Sequence, residues 1–181
     1  MKKYYSFLSA ALIAFFLCAG VQSSFAQEED KGQANQECEM KDFDKPDETG
    51  DSEVDGYVNE SFELYDKVKG FADEVTVVDL AVKKAEEAPD SASKEDLEDL
   101  KSNLNALKTK GESLKSDCES LANKSDDAMG AAKDVKPMSK KPKAIKAIKT
   151  AINVNKESAK QIPVQLQKVA ASTQKVTELM P

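Results

Sequence analysis

The chain has 181 residues, 33 of them acidic against 26 basic, for a net charge of −7, and it holds no His and no Trp. Every basic residue is Lys, so both the commonest general base and metal ligand and the bidentate guanidinium clamp for carboxylate or phosphate are missing. The glycine-rich turns and strand-like runs that would position Asp, Glu, Ser and Lys for hydrolase or transferase chemistry are missing too, which argues against an enzyme.

In chain order, Lys2 and Lys3 precede an apolar run from Leu8 to Val21, and Ser24 and Ala26 stand at the two positions a signal peptidase reads. The pattern predicts a cleaved signal peptide over 1–26, because the run is short of the ~20 apolar residues a membrane span needs. Phe15, Phe16 and Leu17 replace the small residues expected before a lipidated cysteine, so Cys18 leaves with the peptide. A periplasmic or secreted location follows, with no transmembrane span after cleavage.

Residues 27–53 are polar and acidic, broken by Pro46 and Gly50, and read as a flexible lead. Within and just after it, Asp51, Glu53 and Asp55 alternate as oxygen ligands ahead of Gly56, like the start of an EF-hand calcium loop over 51–62. Position twelve, where a bidentate Glu belongs, is Phe62. The competing reading is an acidic approach to a helix N-terminus.

Three helices follow, at about 54–88, 93–135 and 142–180. The first carries a seam of Leu64, Val68, Phe71, Val75, Val78, Val82 and Ala85. The second runs without a slip from Leu97 through Leu100, Leu104, Leu107, Gly111, Leu114, Cys118, Leu121, Ser125, Ala128 and Ala132 to Val135. The third takes Ile145, Ile148, Ile152, Asn155, Ala159, Ile162, Leu166, Val169, Thr173, Val176 and Met180. Residues spaced 3.5 apart keep to one stripe of a slightly underwound helix, and that stripe must be buried along its length. Short turns at Pro89–Ser93 and Lys136–Pro142 leave consecutive helices side by side and reversed. The fold class is therefore all-α: an elongated antiparallel three-helix bundle, coiled-coil-like and up-down-up, over 54–181, preceded by a disordered acidic segment.

A first turn centred near Asp90 sets Asp79 opposite Lys101, Glu86 opposite Lys94, and Gly70 opposite Gly111 in a close approach. Across the second turn Ser125 comes level with Asn155, a polar layer that fixes register at some cost in stability. Pro163 should kink the third helix, level with Cys118. After signal cleavage two cysteines remain, Cys38 and Cys118; a disulfide between them and a free Cys118 packed as a small apolar group are both open.

Charge is uneven. Gln27–Asp66 carries 15 acidic residues and three Lys, a net of −12, whereas Lys133–Lys175 carries 11 Lys and two acids, a net of +9. Opposite fields suit self-association or plain solubility. Lys133, Lys136, Lys140, Lys141 and Lys143 are candidates for contact with an anionic envelope component. Nucleic acid is excluded as a partner, since no aromatic residue follows Phe71 to stack on a base. The function expected is an exported, non-enzymatic helical bundle working in protein–protein interaction or scaffolding in the cell envelope, with a protein partner or self-association and no cofactor. Two alternatives are a calcium-responsive binding protein using the 51–62 loop, and a periplasmic chaperone or lipid-binding carrier that opens at the level of Gly70 and Pro163.

Overall fold

The computed structural model describes residues 40–180. The expected signal peptide, the early lead and Cys38 lie outside the described residues. In chain order the elements are α1 (Ser52–Glu87), α2 (Lys94–Asn123), α3 (Ser125–Asp134) and α4 (Lys141–Leu179), with single 3₁₀ turns at Pro89–Ser91 and Met138–Lys140. The starts of α1, α2 and α4 have local causes. The Asp51 carboxylate accepts from the Glu53 and Val54 N–H groups at the head of α1, and Ser93 with Asp96 forms a reciprocal capping box at the head of α2. Pro142 occupies the first turn of α4, where its missing N–H costs nothing.

Contacts between arms set the directions. Glu74 pairs with Lys110 at 2.7 Å and Glu60 with Lys124 at 2.8 Å, so numbers fall along α2 as they rise along α1, and the two run antiparallel. Asn155 meets Tyr57 and Ser61, and Ser172 meets Asp79, so α4 runs parallel to α1. The molecule is the expected up-down-up bundle; α4, with 39 residues, spans about 58 Å at 1.5 Å per residue.

The second arm is less continuous than its seam. At Lys124 the N–H is shared between the Ser120 and Leu121 carbonyls before α3 resumes with Ala128 N–H bonded to Lys124 C=O. The arm thus breaks between α2 and α3, whereas α4 stays helical through Pro163.

All seven α1 seam residues are buried, and so are Leu97, Leu104, Leu107, Gly111, Leu114, Cys118, Leu121, Ala128, Ala132 and Val135 of the second arm. The α4 seam needs correction. Ala159 is exposed, and a second buried stripe of Ala144, Ala147, Ala151, Val154, Ser158, Gln161, Gln165 and Ser172 lies beside the expected one. Helix α4 packs against both other arms, so it needs two faces where a coiled-coil seam needs one.

The turn is centred where expected, between Glu87 and Lys94, but the predicted flanking pairs do not form; the ion pairs joining the first two arms are Glu74–Lys110 and Glu60–Lys124. Asp79 instead binds Lys83 and Ser172, Glu86 binds Lys175 of α4, and Lys94 pairs with Glu98. Lys101 approaches the Met180 sulfur at 4.0 Å. Gly70 faces open space; only Gly111 marks a close approach, where an added Cβ would stand 2.5 Å from Leu166 Cδ2 and 2.8 Å from Phe71 Cζ.

From residue 40 the acidic lead is docked rather than loose. Phe43 stands edge-on to Tyr65 with ring centroids 5.5 Å apart, and Met40 and Phe43 pack on the core. Tyr65 Oη donates to the Lys41 carbonyl, Asp42 pairs with Lys69 at 2.8 Å, and Lys143 Nζ donates to the Glu48 carbonyl at 3.0 Å. The cause is topological. With α1 and α4 parallel, the acidic approach to α1 and the lysine-rich start of α4 share one end of the bundle, so the opposite fields meet inside one molecule.

Candidate functional site

A cleft of about 270 Å³ opens between α2 and α4. Small residues line its facing walls: Cys118 and Ser125 on the seam of the second arm, Ala122 beside that seam where earlier heptads carry Lys, and Ala159 on α4 between Ile152 and Leu166. The break at Lys124 lies at its edge. Ile152, Ile162 and Pro163 complete the apolar walls, and Lys115, Glu119 and Lys156 form a rim of mixed charge.

Its floor is polar. Asn155 and Tyr57, 6% and 5% exposed, line it from α4 and α1. Asn155 Nδ2 donates to Tyr57 Oη and to Ser61 Oγ, both at 3.1 Å. Ser61 gives its own hydroxyl hydrogen to the Tyr57 carbonyl at 2.8 Å, so toward Asn155 it only accepts. That orients the amide and leaves Asn155 Oδ1 buried with no hydrogen-bond partner. Burial pushes the Tyr57 phenol up, outweighing its bonds to Asn155 and Ser61, so it stays protonated. Pro163 has no N–H, so the Ala159 carbonyl four residues earlier lacks its helical donor. The cleft thus combines an apolar body with a hydrogen-bonded polar floor, whose one unpaired acceptor, Asn155 Oδ1, is sealed from solvent.

Cys118 is buried in the wall as a free thiol. Desolvation first, then the charges of Asp117 and Glu119, push it up to about 11, so it is a poor nucleophile at neutral pH.

The other expected sites are placed as follows. Ser125 lines the cleft with Asn155 but is not its hydrogen-bond partner; Tyr57 and Ser61 take that part. Pro163 and Cys118 do meet at one level, on opposite walls. The 51–62 segment is not an ion-wrapping loop, because it is helical from Ser52 onward. Its carboxylates face backbone donors: Asp51 caps α1, while Asp55 accepts from the Thr49 N–H and hydroxyl and from the Gly50 N–H at 2.8–2.9 Å. Burial opposes ionisation of Asp55, but those bonds and the Lys143 charge bring it below the usual carboxylate value. Among the described residues no cluster of three or more His, Cys, Asp or Glu is placed to hold a metal ion. Of the lysines at that end, Lys143 is taken up by Glu48 and Asp47, and Lys140 Nζ lies beside Gly50; Lys133 and Lys136 are exposed and Lys141 half-buried.

Sequence reasoning missed Tyr57 and Ser61 by starting the α1 seam at Leu64. The same spacing runs back through Ser61, Val58 or Tyr57, and Val54, and would have found them. No family model, curated protein or solved structure matches the chain.

Proposed function

We propose that this is an exported, non-enzymatic helical bundle that binds a protein partner or serves as a scaffold in the cell envelope. Export rests on the charged start, apolar run and small-residue cleavage site over 1–26. Binding rests on one observation, the cleft between α2 and α4. A closed bundle would fill that space, yet here four small residues hold it open, and its apolar walls and charged rim resemble the pockets in which partner proteins bury an anchor side chain. The nearest thiol is held protonated, which suits a wall rather than a nucleophile. The carrier reading draws on the same cleft at the level of Pro163, but about 270 Å³ falls just under the ~300–1,000 Å³ of small-molecule pockets, so a lipid is the weaker occupant.

Ala159 is exposed on the cleft edge, so Ala159→Phe fills the cleft without touching the core. Affinity capture from native envelope with the chain should return a discrete partner that the Ala159→Phe chain loses. Equal recovery by both chains would end the assignment of binding to this cleft.

A further inference from the structure

Helix α1 carries a second stripe on the side away from the core. Gly70, Asp73, Val77, Leu80, Lys84 and Glu87 recur three and four apart, half a helical turn from the buried run through Phe71, Val75, Val78 and Val82. At its centre Val77 and Leu80 are 54% and 52% exposed, two of the three exposed large apolar side chains among the described residues. The charges that flank them, Asp73 and Lys84, are exposed and make no ion pair within the described residues. We infer that this stripe is a homodimer contact, in which α1 of a second copy lies antiparallel across it.

The charges choose both the occupant and its direction. About a point between Val78 and Asp79 the stripe is self-complementary. An antiparallel second copy sets Val77 against Leu80 twice, and closes each end of that apolar patch with Asp73 of one copy against Lys84 of the other. The next step outward sets Glu87 over Gly70, where an added Cβ would meet nothing within 4 Å, so the side chain has room. A parallel copy would instead stack Asp73 on Asp73 and Lys84 on Lys84, which like-charge repulsion disfavours. Two Val–Leu pairs between two helices make a small interface, so the dimer is weak and its population follows concentration. Tyr57 floors the α2–α4 cleft from the opposite, buried side of α1, so pairing leaves the cleft of each copy open and joins two of them in one particle. The contact involves α1 alone and holds whether or not the cleft takes a partner.

The test is sedimentation velocity of the mature chain across a dilution series, in reducing buffer so that no disulfide joins the copies, with circular dichroism of every variant. The parent chain should shift toward a dimer as concentration rises. Leu80→Gln, at an exposed position, should leave a monomer of unchanged helicity. Asp73→Lys and Lys84→Glu should each weaken association by about tenfold, since each turns two attractive pairs into two repulsive ones, and the two substitutions together should restore it. A parent chain that stays monomeric throughout, association that survives Leu80→Gln, or a double variant no better than the single ones would each overturn the inference. Ala159→Phe, on α4, should dimerise like the parent chain, which separates loss of partner capture from loss of dimers. Dimers lost on Ala159→Phe would put the contact at the cleft and overturn it too.

Discussion

Asn155 of α4 donates its amide to the Ser61 hydroxyl of α1 at 3.1 Å, a bond that ties the third arm to the first at the floor of the cleft. The same amide holds Tyr57 Oη, so one side chain fixes the slide of two parallel helices. Asn155→Ala should strip both bonds and leave buried groups unpaired, costing about 1–3 kcal/mol in urea unfolding. Asn155→Leu also removes the orphaned Oδ1 and refills the volume, so its loss should be the smaller of the two.

The two helical glycines that the sequence pairs should respond in opposite directions. Gly70→Ala adds a Cβ to open space and should stabilise by about 0.5–1 kcal/mol through helix propensity. Gly111→Ala drives a Cβ against the Phe71 ring and Leu166, and should destabilise by about 1–3 kcal/mol from overpacking. Thermal unfolding of both variants beside the parent chain checks the contrast.

The docked lead should release without unfolding the bundle. Phe43→Ala removes the edge-on contact with Tyr65, worth about 0.5–1.5 kcal/mol beyond its buried area. Hydrogen exchange should quicken over 40–50 while the α2 and α4 amides stay protected. Protection unchanged in the lead would show that its polar contacts, Tyr65–Lys41, Asp42–Lys69 and Lys143 with Asp47 and Glu48, hold it without the ring.

Acid should loosen the same end of the rod. The folded Asp55 carboxyl lies below its usual value, so its contribution is complete above the unfolded pKa, about 3.9, and is lost as pH falls through the lower folded one. Asp55→Asn should therefore lower the midpoint of thermal unfolding at pH 6, and the gap to the parent chain should close as pH falls below the ordinary carboxylate value.

Cys118 should react with a thiol-specific disulfide reagent far more slowly in the folded chain than in denaturant at pH 8, because burial raises its folded pKa to about 11. The sign for stability is opposite to that of Asp55. The unfolded thiol ionises first, so stability from this group is intact below about pH 8.5 and falls as pH rises toward 11. Cys118→Ala should flatten that alkaline limb.

By itself the sequence determined three arms, their turns and the first two seams, because apolar spacing, caps and proline act within a few residues of themselves. Ser93 with Asp96 and the stripe from Val68 to Ala85 are local facts, and the fold bears them out. The tertiary structure decided how the arms slide and rotate against one another. It chose which charges pair across the arms, gave α4 a second buried stripe written in Ala, Ser and Gln, turned Asn155 toward Tyr57 and Ser61 rather than Ser125, and laid the acidic lead on the lysine end. The alanines at 144, 147 and 151 carried a faint signal of the second stripe, but small and polar residues do not announce burial. The cleft has the same origin: Cys118, Ser125 and Ala159 read as seam positions and Ala122 as a flank, and they become a cavity only where two helices bring them face to face.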